Sequence, residues 1–375
     1  MYINFWYPIC TVDDLKDGGP LRTKVLGLRY VAFRDSQGEA HVLADTCVHR
    51  GGSLGRGKVT GDSIACPYHG WQYGGDGRCT HIPAQKEGQK PPARAKVDSY
   101  PVQERYDVVF AFLGDLPEAE RPPLFDIAEY GQEGWRASEV MILNIPCYYE
   151  RSMENGLDPV HNQFVHPLQG NPQVDPDDIV ISDIPWGSRV YAPMGEPRRG
   201  STRMADLRGD PKDLGAASWH VGPNQLVTSI NLSAENNLTQ YFFEAPVDRW
   251  KTKIYFINMR NCWPDPDMDD RIKEINLSIT AEDIGILQEL YPVRTPETTT
   301  REILSPGDEC VVKFRACLKD WQARGWRLDT GTLEANDGDV AYAIPCPDRR
   351  TSGNWVLDPV PLMPAQVAAA QAREG

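Results

Sequence analysis

The chain has 375 residues, 41% hydrophobic and 25% charged, enough to bury a sizeable core in two or three domains. Its formal charge of −14 argues against general binding to nucleic acid or to anionic membranes, which need a basic footprint. The longest clean apolar run, 108–113, is far too short to span a bilayer, and the start lacks the basic region of a signal peptide. Nine cysteines are too few for a disulfide scaffold, and their odd number fits a reducing cytoplasm.

In chain order, residues 1–115 read as a small all-β domain. Strand-like runs at 24–33, 40–43 and 107–113 are broken by turns such as Asp35-Ser36-Gln37-Gly38 and Gly74-Gly75-Asp76-Gly77. A Pro- and charge-rich stretch, 115–123, reads as a linker to a second domain, 116–365. There, 148–166 looks helical but carries Gly156 and Pro159 inside the pattern, and 167–215 is loop-rich. Strands follow at 225–232, 239–244 and 252–259. A helix over 267–290 repeats Ile272, Ile275, Ile279, Ile286 and Leu290 at helical spacing, and a second helix covers 309–324. Residues 366–375 form a tail. The fold class is therefore α+β.

The chemistry is concentrated in seven histidines. Cys47-Val48-His49 and Cys66-Pro67-Tyr68-His69 are sixteen residues apart in a Gly-rich setting. Two thiolates and two imidazoles suit either a tetrahedral zinc or an iron–sulfur cluster with His on one iron. The Cys-x-His arm favours the cluster, because zinc is more often held by Cys-x₂₋₄-Cys and His-x₃₋₅-His arms. Cys79 and His81 lie off this pattern, and the remaining cysteines read as buried thiols.

His161 and His166 form a second group, in Asn155-Gly156-Leu157-Asp158-Pro159-Val160-His161-Asn162-Gln163-Phe164-Val165-His166-Pro167. Five residues on an ideal helix rotate two side chains by roughly 140°, so convergence on one metal needs a break, which Gly156 and Pro159 would supply. Asp158 before Pro159 also reads as a helix N-cap. Two His and one carboxylate are the facial triad of non-haem Fe(II) oxygenases.

Together these motifs resemble the Rieske non-haem iron oxygenases. At this length the likeness is to the oxygenase (alpha) component of the homotrimeric monooxygenase and O-demethylase branch. The resemblance implies an N-terminal all-β Rieske domain and a catalytic domain with an antiparallel sheet flanked by helices, in a helix-grip, START-like arrangement. It implies that Cys47 and Cys66 bind one iron of a [2Fe–2S] cluster and His49 and His69 the other. His161 and His166 would bind a mononuclear Fe(II). The third ligand would come from the C-terminal helix, with Asp283 chosen, Glu282 second, and Asp269 or Asp270 as the alternative should both be solvated charges. Asp158 would hydrogen-bond His161 and link it to His69 of a neighbouring subunit, with Asn155 beside the iron.

The function so implied is O₂-dependent hydroxylation or O-/N-demethylation of a small organic substrate, aromatic by expectation. Electrons would come from NAD(P)H through a ferredoxin or flavin reductase docking on Arg50, Arg56, Lys58 and Arg78. A Rieske-type electron carrier and a ring-dihydroxylating dioxygenase are the alternatives. The substrate cleft is expected over 225–233 and 239–243, with Trp219 and His220 in core packing.

Overall fold

The computed structural model describes residues 1–167, 173–194 and 215–366. The chain divides into two units, 1–124 joined by the segment from Asp320 onward, and Phe125–Lys319. This departs from the expected boundaries at 115 and 365. The 115–123 stretch belongs to the first unit, where the Trp6 indole N–H donates to the Pro122 carbonyl at 3.0 Å. The segment from Asp320 also belongs there: the end of the helix read at 309–324 and, beyond it, an irregular stretch without a periodic signal. Trp321 packs edge-on to Phe5 at 4.9 Å, and Arg349 forms a bidentate pair with the fully buried Asp98 at 2.6 and 2.8 Å. The tail expected at 366–375 lies, beyond Gln366, outside the described residues.

The first unit is built of short antiparallel sheets. One contains Leu21–Val25, Leu28–Arg34, Ala40–Ala44 and Ser99–Tyr100, and another Lys58–Thr60, Ser63–Ala65, Gln72–Gly74 and Cys79–His81. The run 24–33, read from sequence as one strand, is a hairpin. Val25 pairs with Leu28, and the turn places Leu26 at φ 54° and Gly27 at φ 81°. A two-residue turn with both central residues at positive φ matches the twist of the strands it joins.

The second unit is one antiparallel sheet in sequential order. One edge is formed by Arg136–Ala137 and Met141–Ile145, both paired to Thr252–Arg260, and the sheet continues through Asn237–Pro246, Gln225–Asn231, Gly215–Val221, Gly187–Pro193 and Val180–Ile184. Two of these strands fall within the region expected to be loop. Helices α1 (Tyr149–Leu157), α2 (Asn162–Val165), α3 (Asp269–Leu287) and α4 (Glu309–Ala323) complete the described helices used below. α3 packs on the sheet: its Leu287 joins Leu143, Ile254 and Phe256, and its Ile275 joins Leu232 and Leu238.

Gly156 does not break the helix, contrary to the sequence expectation; α1 runs through it to Leu157. A Cβ there would lie 2.2 Å from Leu226 Cδ2, so glycine lets α1 lie against the sheet. The break falls at Asp158, held at φ −86° and ψ 111° before Pro159, where proline disfavours helical backbone. Asp158 is the C-cap of α1 rather than the N-cap of α2; its Oδ1 accepts the Val160 N–H at 2.7 Å, and His161 caps α2.

Candidate metal centres

Two loops of the first unit present the Cys/His pairs, and they repeat one hydrogen-bonding scheme. Cys47 N–H donates to the Gly52 carbonyl at 2.8 Å, and Gly51 N–H donates to the Cys47 carbonyl at 2.9 Å. In the other loop Cys66 N–H donates to the Trp71 carbonyl at 2.8 Å, and Gly70 N–H donates to the Cys66 carbonyl at 3.0 Å. Gly51 and Gly70 sit at φ 71° and 70°, the left-handed region such a turn requires.

The loops interlock. His49 and His69 meet edge-on at 4.5 Å, and Trp71 stacks on His49 at 4.6 Å with 5° between planes. Gly52 leaves room for Cys66, whose Sγ would lie 2.8 Å from any Cβ there. Tyr73 hydroxyl is 3.2 Å from Cys47 Sγ. His49 Nδ1 is buried without a hydrogen-bond partner, an orphaned lone pair that fits a metal ligand. Cys79 and His81 lie on a strand outside these loops, with Cys79 Sγ 3.5 Å from the His81 carbonyl.

In the second unit the sharp turn at Asp158-Pro159 brings His161 and His166 together. Their Nε2 atoms are 3.2 Å apart, and Asp283 Oδ1 lies 3.7 Å from the first and 3.3 Å from the second. Among the described residues these three form a group whose ligand atoms all lie within 4.8 Å of one another. Both imidazoles present Nε2, leaving each Nδ1 for an orienting contact. His166 Nδ1 meets Glu282 Oε2 at 3.0 Å, and His161 Nδ1 meets the Asp158 main-chain carbonyl at 2.5 Å.

Asp158 thus reaches His161 through its backbone, whereas the sequence pattern points to the carboxylate; that carboxylate is occupied by Val160 N–H. Asn155 Nδ2 donates to Asp283 Oδ1 at 3.0 Å. Burial lowers the His161 pKa, while His166 is raised because Asp283 and Glu282 outweigh its own burial. Asp269, the alternative carboxylate, is paired with Arg136 and the buried Arg260, which pull its pKa down to about 2.

Residues 5–101 match the Rieske [2Fe-2S] domain family, and residues 145–324 match the vanillate O-demethylase oxygenase C-terminal domain family. The chain belongs to the Rieske oxygenases. Phenoxybenzoate dioxygenase subunit alpha of Ectopseudomonas oleovorans is 35% identical over 43% of this chain and 42% of its own length. Methylxanthine N1-demethylase NdmA of Pseudomonas putida is 25% identical over 84% of this chain and 88% of its own length. The first of these matches, like those to the 3-ketosteroid-9-alpha-monooxygenases of Rhodococcus rhodochrous, spans less than half the relative's length. The caffeine-bound structure of NdmA from Pseudomonas putida CBB5 superposes with TM-score 0.72 at 24% identity, covering 86% of this chain and 91% of that one. Dicamba monooxygenase bound to 3,6-dichlorosalicylic acid superposes with TM-score 0.71 at 22% identity, covering 86% and 98%.

In this Rieske oxygenase a cleft of about 740 Å³, its open mouth included, reaches His161, His166 and Asp283. Thr228 and Ile230 of one expected stretch and Gln240 and Phe242 of the other line it, joined by Phe256 and by Asn276 of α3. Trp219 pairs with Phe125 and Arg189, while His220 is fully buried, edge-on to Phe314, with Nδ1 2.9 Å from the Gly222 carbonyl. Of the basic residues expected at the cluster, Arg50, Arg56 and Lys58 are exposed, and Arg78 is paired with Asp348 and Asp76. Sequence reasoning weighs Glu282 only as a ligand; its contact with His166 Nδ1 comes from its place beside Asp283 on α3, which orients it toward the neighbouring imidazole. Tyr73 and the Gln240–Asn276 pair carry no one-dimensional signal, since each contact depends on strand register. No described helix is long and apolar enough to cross a membrane.

Proposed function

We propose that the chain is a terminal oxygenase that hydroxylates, or O- or N-dealkylates, a small organic substrate, aromatic by expectation. The observation that carries the reading is the convergence of His161 Nε2, His166 Nε2 and Asp283 Oδ1 in a cleft of mixed polar and apolar lining. Cys47, His49, Cys66 and His69 hold the [2Fe–2S] cluster, and His161, His166 and Asp283 hold the mononuclear Fe(II). When bound, the two groups supply single-electron storage and O₂ activation. The protein's part is orientation. Glu282 fixes the ring of His166, the Asp158 carbonyl fixes that of His161, and Asn155 restrains Asp283.

The match of the second domain to a demethylase family favours dealkylation or monohydroxylation over ring dihydroxylation. Asp158 links His161 to His69 of a neighbouring subunit in a homotrimer, and electrons reach the cluster from NAD(P)H through a ferredoxin or flavin reductase. The seven cysteines outside the cluster motif, none in a disulfide, accord with a reducing cytoplasm. The test is metal content of the purified chain. Three irons per chain and two sulfides are expected, falling to two irons in His161→Ala with the cluster absorbance intact. Two irons in the wild-type chain, or zinc without colour, would overturn the reading in favour of an electron carrier or a zinc protein.

A further inference from the structure

The face of the sheet beneath the cleft is organised in rows that run across the strands. Asn258 pairs with Gln240, Gln240 with Thr228, Thr228 with Ser218, and these four side chains form one transverse polar row. The row on one side is Phe256, Phe242 and Leu226, ending in the fully buried His220, and that on the other is Leu238, Ile230 and Ala216, beginning at the fully buried Arg260. A polar stripe between two apolar ones on a cleft floor is what a flat, mostly apolar ligand with one polar edge requires.

The Ser218 and Thr228 hydroxyls pair with each other at 3.1 Å, but the amide end of the row is not satisfied within the protein. Gln240 Nε2 donates to Asn276 Oδ1 at 2.9 Å, Asn276 Nδ2 faces Asn258 Oδ1 at 3.5 Å, and the fully buried Asn258 Nδ2 has no partner. Oxygen and nitrogen of a side-chain amide are assigned by their partners. Turning all three amides leaves the heavy atoms in place but reverses the chain of donors. Asn258 then donates to Asn276 and Asn276 to Gln240, and the unpartnered atom becomes a carbonyl oxygen, which is less costly to bury than an idle NH₂. In that polarity the Gln240 NH₂ turns to the cleft, where the amide has no other hydrogen bond among the described residues. The cleft's described lining contains no Lys or Arg.

We propose that Gln240, poised by Asn276 and Asn258, donates a hydrogen bond to a carbonyl-type oxygen of a neutral substrate. Asn276 precedes Asp283 by seven residues on α3, two turns on the same face and about 10 Å along the axis. The acceptor oxygen and the reacting group therefore lie toward opposite ends of the substrate. This inference rests on the oxygenase reading above.

The test uses the anaerobic, iron-loaded wild-type protein and isothermal titration with matched aromatic pairs differing by one carbonyl. 4-Methoxyacetophenone against 4-ethylanisole is the first such pair, within a panel of similar pairs. Carbonyl members should bind roughly three- to tenfold more tightly, the range of one neutral hydrogen bond. Gln240→Met, which keeps length and volume, should bring each pair to parity while leaving the methylene member's affinity unchanged; Gln240→Leu serves as a second variant. A purely structural role would weaken both members alike. No carbonyl preference in the wild type, or a preference that survives both substitutions, overturns the proposal. Loss of mononuclear iron would instead strike the oxygenase reading, and the iron count made on each sample separates the two failures.

Discussion

Glu282 and Asp283 are adjacent carboxylates with different work, and substitution should separate them. Glu282 Oε2 lies 3.0 Å from Nδ1 of His166, whose side chain is only 3% exposed, so water has little access to replace the lost acceptor. Removing an outer partner of a ligating histidine typically costs 10- to 100-fold in metal affinity, about 1.4–2.7 kcal/mol. With water excluded, Glu282→Ala should fall toward the upper end of that range. Glu282→Gln keeps an acceptor for Nδ1–H, so its loss should be a few-fold. Asp283→Ala removes a donor atom itself and should lose the iron at concentrations where Glu282→Ala still holds it. The assay is anaerobic equilibration against chelator-buffered Fe(II), with iron counted and cluster absorbance as internal control. Wild-type affinity in Glu282→Ala, or retention by Asp283→Ala alongside loss in Glu282→Ala, would refute the division of roles.

Gly156→Ala gains up to about 1 kcal/mol of helix propensity but drives a methyl into Leu226, whose overpacking costs roughly 1–3 kcal/mol. Net destabilisation is expected in thermal unfolding, and Gly156→Ala combined with Leu226→Ala should cost less than the sum of the two single variants; a more stable Gly156→Ala variant, or strict additivity, would contradict it. Tyr73→Phe removes a donor to the Cys47 sulfur. Because such a bond favours the more negative, reduced cluster, the potential should drop by roughly 20–65 mV in a redox titration.

Glu244 is fully buried beside Ser152, and burial pushes its pKa from 4.5 up to about 8. The folded state then holds a proton that the unfolded chain has released. Stability from this group is complete below about pH 4.5 and is lost as pH rises toward 8. Glu244→Gln should flatten the dependence of Tm on pH across that window, measured by scanning calorimetry; parallel profiles for the two proteins would contradict the assignment.

Much of this arrangement is legible in one dimension because its signals are local. The spacing of Cys47, His49, Cys66 and His69 sits within two turns, and α3 advertises itself by its isoleucines. Glu282-Asp283, an acidic pair followed by Ile284 and Ile286, marks where on α3 a carboxylate ligand would sit but not which of the two it is. The features that escape a linear reading depend on contacts between distant strands. Gly156 looks like a helix breaker because its reason, Leu226, lies seventy residues on. Asp158 has the letters of an N-cap, but the same Pro159 that suggests a cap also disfavours helical backbone just before it. The segment after 324 has no period to read; one buried ion pair, Arg349 with Asp98, secures it to the first unit.

The interlocked Cys/His loops carry a consequence for assembly. Trp71, from the second loop, steadies a histidine of the first, while Gly52, from the first, makes room for a sulfur of the second. Neither loop can be damaged in isolation. A lesion at Trp71 would disturb a proposed ligand more than twenty positions upstream, and a side chain at position 52 would displace another fourteen positions downstream. Cluster incorporation should therefore be all-or-none across variants of either loop, with populations of complete and empty protein in place of half-built sites.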